Sequence, residues 1–144
     1  MQKNKAYLLF DGDCGICTAF AGWAQRRDAQ KKFEVVPYQL FSEEELRRFG
    51  TSSQKCSHRM HTLTPHGKIY TGAFALNYFG WQFFPWRLLV ALLYLLPILL
   101  LFEIILYALV AKYRRRISQW LGLQACATAP LFSQTSPKID QIVK

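Results

Sequence analysis

Two aspartates and two cysteines fall within one short stretch, Asp11-Gly12-Asp13-Cys14-Gly15-Ile16-Cys17. A C-x-x-C pair can exchange disulfides or bind a metal, and its surroundings separate the two. Here an apolar run, Tyr7-Leu8-Leu9-Phe10, stops at a glycine turn and passes into a helical pattern. That places Cys14 at a helix N-terminus, where unpaired N–H groups and the helix dipole favour a thiolate. Cys17 then lies one turn along on the same face, and sulfurs so spaced come near disulfide geometry. The pair reads as a redox dithiol in which Cys14 attacks and Cys17 resolves. No cofactor is expected beyond the reversible Cys14–Cys17 disulfide. Asp13 opposes thiolate formation, because an adjacent carboxylate raises a thiol's pKa. It has a possible role as the helix cap, and Asp11 as acceptor of the Cys17 proton. The plainer alternative is that both acids only shape the turn.

Two other chemistries fit parts of the pattern. Cys14, Cys17, Cys56 and His58 form a ligand set that zinc accepts, giving a binding module with no redox activity. The wide gap between its halves departs from common finger spacing. Alternatively, an apolar strand followed by Asp-Gly-Asp resembles the loop of haloacid-dehalogenase-type phosphatases, with Asp11 as nucleophile and Asp13 as acid. That reaction needs further acids to hold Mg²⁺, and after Glu45 the chain offers only Glu103 and Asp140. Outside a metal site, Cys56 reads as a small core residue, and His58 and His61 as surface or packed side chains. Cys126 reads as a packed thiol, a membrane-proximal acylation site or a second redox partner.

The elements that must position the dithiol follow from periodicity. Residues 6–10 form a buried-type strand, and residues 16–27 a helix with Phe20, Trp23, Ala24 and Arg27 at helical spacings. Residues 33–36 form a second strand stopped by Pro37. A strand, helix and strand over so short a stretch make a βαβ unit with parallel strands and a right-handed crossover. Ser42-Glu43-Glu44-Glu45 is a capping box opening a helix that ends near Gly50. Residues 54–59 suggest a further short helical turn. Residues 60–64 and 68–70, joined by Pro65-His66-Gly67, read as a β-hairpin. Residues 73–79 read as a helix closed by Gly80.

This is the thioredoxin order of elements. The stretch from Leu9 to Cys17 resembles the signature of the DCC family of predicted thiol-disulfide oxidoreductases (DUF393), named for an Asp followed by two Cys, here Asp11, Cys14 and Cys17. Further segments resemble the family in its order: Val36-Pro37-Tyr38-Gln39, Arg59-Met60-His61, Gly67-Lys68-Ile69-Tyr70, Pro85-Trp86-Arg87, and Tyr113-Arg114 with a late cysteine, Cys126. The resemblance implies a thioredoxin-like βαβ…ββα core and exchange with a substrate protein or small thiol. One departure stands out. Thioredoxins carry a cis-proline just before the third strand, facing the disulfide, and this chain has no proline between Pro37 and Pro65.

Composition bounds the rest. With 144 residues, 51% apolar and 15% aromatic, the chain can build a real core. Its net charge of +9 suggests an acidic partner. Most basic residues are scattered, and the dense group Lys112, Arg114, Arg115 and Arg116 abuts an apolar segment. An anionic membrane surface is therefore expected rather than nucleic acid. Residues 88–111 contain one charge, Glu103, and one break, Pro97. Neither piece reaches the ~20 residues of a span. Basic residues at both ends favour an apolar helical hairpin folded at Pro97. The expected organisation is a redox domain over residues 1–84, an apolar helical extension over 85–124 that packs either on that domain or on the membrane, and an irregular tail over 125–144. The first residues carry no apolar run of about 7–15 residues, so no signal peptide is expected. The redox domain is expected in the cytoplasm, at or in the membrane.

Overall fold

The computed structural model describes residues 5–123, so Cys126 and the expected tail lie outside the described residues. Strand β1 (Ala6–Phe10) occupies the interior of a four-stranded sheet. Its side chains alternate between two faces, and both faces are covered, which explains why it reads as an unbroken apolar run. Ala6, Leu8 and Phe10 pack with Ala21 and Ala24 of helix α1 (Gly15–Arg27). Leu9 joins Val36, Leu46, Phe49 and Cys56 in a separate cluster.

Strand β2 (Phe33–Pro37) pairs parallel to β1, from Ala6 opposite Phe33 to Phe10 opposite Pro37. A 3₁₀ turn (Tyr38–Leu40) and two short helices follow, α2 (Glu43–Arg48) and α3 (Ser53–Cys56). The expected capping box opens α2: Glu45 N–H donates to Ser42 Oγ, and Ser42 N–H to Glu45 Oε2 at 2.6 Å. Strands β3 (His61–Leu63) and β4 (Ile69–Thr71) form the expected hairpin, with β3 antiparallel to β1. Helix α4 (Ala73–Trp81) closes the core. The strand order β2-β1-β3-β4, with one parallel and two antiparallel pairings, is a thioredoxin-like core in an α/β fold.

Gly80 does not end α4 as its sequence suggested. The helix continues through it, and a side chain there would lie 3.1 Å from Val90 Cγ2. Its missing Cβ serves the close approach of the next helix, α5 (Trp86–Leu95).

The helical pair is present, but its arms are bent by 111° at the break rather than folded flat. Pro97 sits in the first turn of α6 (Pro97–Trp120), where its missing N–H leaves no helical bond unmade. The basic residues after Ala111 belong to this same helix. At 24 residues it is roughly 36 Å long, enough to run from the apolar surface to the dithiol. Among the described residues no single helix is long and apolar enough to cross a membrane, although α5 and α6 together meet that test by length and composition.

Candidate active site

The sheet delivers β1 to the turn Asp11–Asp13, and the turn delivers Cys14 to the start of α1. Cys14 is the N-cap residue, with extended backbone (φ −107°, ψ 114°) and no hydrogen bond from its side chain to the helix. The cap comes instead from α6: Ser118 Oγ accepts the Ile16 N–H at 2.9 Å across 102 residues of sequence. The end of α6 also lies over Gly15. A Cβ on Gly15 would fall 2.4 Å from the Leu123 carbonyl oxygen, so only glycine fits. Under this cover Cys14 is 2% exposed, whereas Cys17 is half-buried.

The two thiols are driven apart electrostatically. The Cys17 thiol, and after it the Cys17 backbone N–H, lower the Cys14 pKa from 9.0 to about 6; Arg114 and Ser118 assist, and burial opposes them. Cys17 is pushed up by its thiol's hydrogen bond to Cys14, then by burial and by the Cys14 charge. Both shifts favour the charge on Cys14 and the proton on Cys17.

Arg114 connects the acids to the sulfurs. Its Nη2 donates to Asp11 Oδ2 at 2.9 Å and to the Ser57 carbonyl oxygen, while Nη1 lies 3.7 Å from Cys17 Sγ. Both members of the ion pair are buried, with side chains 9% and 3% exposed. The other Asp11 oxygen accepts the Asp13 N–H at 3.1 Å and Gln39 Nε2 at 2.9 Å. Gln39 in turn accepts the Gly12 N–H at 3.1 Å, which ties the turn to the 3₁₀ turn that follows β2. Asp13 itself is exposed and makes no cap to α1, contrary to one role its position suggested. Its carboxylate accepts from Gln39 at 3.3 Å.

The alternative zinc ligands do not converge. Cys17 packs against one core cluster, while Cys56 lies in the other, with its sulfur 3.6 Å from the Thr51 hydroxyl. His58 is exposed. Among the described residues no group of three or more His, Cys, Asp or Glu side chains is placed to hold a metal ion. His61 is a satisfied core residue: it is 2% exposed, its Nδ1 lies 2.9 Å from the Arg59 carbonyl oxygen, and burial lowers its pKa.

The model of the DCC1-like thiol-disulfide oxidoreductases matches residues 8–120. The chain belongs to that family. The match runs from β1 to the end of α6, so it takes in Arg114 and Ser118 as well as the dithiol. No curated protein and no solved structure matches the chain significantly. Within this DCC1-like frame, the residues that spacing did not expose are Arg114, Ser118 and Gln39. Arg114 stands in a basic run that reads as facing an anionic membrane surface, and although Tyr113-Arg114 resembles a family segment, its burial is what distinguishes it from Arg115 and Arg116. Gln39 and Ser118 carry no local signal, because their partners lie 27 and 102 residues away.

Proposed function

We propose that the protein is a thiol-disulfide oxidoreductase in which Cys14 attacks and Cys17 resolves. The observation that carries this reading is the placement of the dithiol, with Cys14 at the N-cap of α1 and Cys17 one turn along beside the buried Arg114 guanidinium; the shifts of the two thiols, Cys14 down and Cys17 up, agree with it. The Cys14 thiolate attacks one sulfur of a substrate disulfide. A Cys14–substrate S–S bond forms, and the other substrate sulfur leaves as a thiolate. Cys17 then passes its proton through water to the substrate thiolate released in the first step, and attacks Cys14. The Cys14–Cys17 disulfide forms, the mixed disulfide breaks, and the substrate leaves with two electrons gained. Arg114 steadies the negative charge that passes between the sulfurs, and Asp11 acts through Arg114 by holding it in place. In Cys17→Ser a mixed disulfide is expected to accumulate with substrate protein or glutathione, and in Cys14→Ser none. Failure of the wild-type pair to oxidise reversibly overturns the reading.

We propose further that α5 and α6 rest on an anionic membrane surface, with the redox domain on the cytoplasmic side. Leu88, Leu95, Ile98 and Phe102 are 62–79% exposed, far more large apolar surface than a soluble monomer usually shows. Arg87, Lys112, Arg115 and Arg116 flank this surface and match the charge of acidic headgroups. Co-sedimentation with phosphatidylserine-containing vesicles is expected, falling sharply in Ile98→Asp/Phe102→Asp and at high salt. A vesicle-free dimer that buries the same face, or no sedimentation at all, overturns this placement.

A further inference from the structure

A cavity of about 330 Å³ lies between α1, α4 and α6 and reaches the dithiol from the side of Cys17. Cys17 lines it; Cys14 does not. Its walls are Ile16, Phe20, Leu76, Leu106 and Val110, with Arg114 at the Cys17 end. Most of its polar groups have partners within the protein. Tyr107 OH accepts the Met60 N–H at 3.0 Å, Glu103 accepts from Asn77 at 3.0 Å, and Asp11 holds Arg114. What remains for a ligand is apolar contact along the walls, the His58 side chain, and a sulfur beside a guanidinium at one end.

The mouth of the cavity identifies the phase from which a ligand comes. Leu106 and Val110 line the cavity and are also 49% and 37% exposed. Phe102, Leu106 and Val110 follow one another at four-residue steps, so they share one face of α6. The opening therefore belongs to the exposed apolar surface. A ligand entering there is apolar, and it meets Cys17 without displacing the residues that cover Cys14.

We infer that this cavity binds a lipid-soluble quinone, which accepts the two electrons of the Cys14/Cys17 dithiol. The inference rests on the redox reading of that pair. The other common apolar oxidant, a lipid hydroperoxide, is reduced by thiolate attack on its O–O bond, and the thiolate, Cys14, is outside the cavity. A quinone needs an electron pair together with protons, and the Cys17 S–H group supplies one proton at the cavity wall. In the balanced step the Cys17 S–H bond breaks and the Cys14–Cys17 S–S bond forms. The electron pair, the Cys17 proton and one proton from water pass to the quinone, which leaves as hydroquinone. The Arg114 cation beside the sulfur lowers the cost of negative charge building on the quinone oxygen.

The test uses the reduced, full-length protein under anaerobic conditions with decylubiquinone, followed by hydroquinone absorbance and thiol titration. One hydroquinone per dithiol is expected, and none from Cys14→Ser or Cys17→Ser. Parallel oxidation by glutathione disulfide separates the two readings. Ala111→Phe, which fills the cavity, and Leu106→Trp, at its partly exposed mouth, are each expected to lower the quinone-to-disulfide rate ratio about tenfold or more. Oxidation by glutathione disulfide but not by decylubiquinone overturns the quinone site alone, as does an unchanged ratio in both variants. Oxidation by neither overturns the redox reading with it.

Discussion

Replacing Arg114 with leucine is expected to cost about 3–5 kcal/mol of folding stability, read as a lower denaturant midpoint at unchanged slope. The cost comes less from the lost attraction than from what stays behind. Asp11 is 3% exposed, and without Arg114 its Oδ2 keeps no charged partner. The double variant Asp11→Asn/Arg114→Leu removes the stranded charge and is expected to recover much of the loss. Activity is expected not to follow. Arg114 also helps to hold the Cys14 pKa down, so the double variant shows a higher Cys14 pKa even where its stability returns. Recovery of both together would mean that Arg114 serves only to fold the chain. Lysine is a poor substitute at this position, because one ammonium cannot reach Asp11, the Ser57 carbonyl and the Cys17 sulfur in the same forked geometry.

The second large effect is expected from Cys17→Ala. The hydrogen bond from Cys17 is the largest cause that lowers Cys14 to about 6. At pH 7 the wild-type thiolate outweighs the thiol roughly tenfold, and the thiolate fraction falls as the pH drops through 6. Removing the donor moves the midpoint upward. The thiolate fraction at pH 7 then falls about tenfold, and its rise appears at higher pH. Thiolate ultraviolet absorbance against pH reads this directly, without requiring a reagent to reach the covered sulfur. A midpoint that stays near 6 would assign the shift to the Cys17 backbone N–H and Arg114 instead.

The core was readable because its signals are local. The apolar run Tyr7–Phe10, the turn before Cys14 and the Ser42/Glu45 capping box each involve residues within a few positions of one another. The residues that complete the site were not readable in the same way. Arg114 and Ser118 act on Asp11 and Ile16 only because a 24-residue helix brings its far end back across α1. In sequence they belong to a basic stretch next to an apolar one, a pattern that describes a membrane boundary well and an active site poorly. Asp13 illustrates the opposite error. Its place two residues before α1 favours capping, yet a serine from α6 fills that role. Gly80 did the same for α4, where packing against Val90 overrode the ordinary use of glycine as a helix stop.

The Asp11–Arg114 pair closes across 103 residues, which gives the protein a history as well as a shape. A ribosome adding about 5–20 residues per second makes the acid, and then the dithiol, roughly 5–20 s before it makes the arginine. Until α6 emerges, Asp11 has no guanidinium, Ile16 has no serine cap and Cys14 has no cover. The nascent chain therefore passes through an interval in which the Cys14 sulfur is open to the surrounding thiols while α6 is still being synthesised.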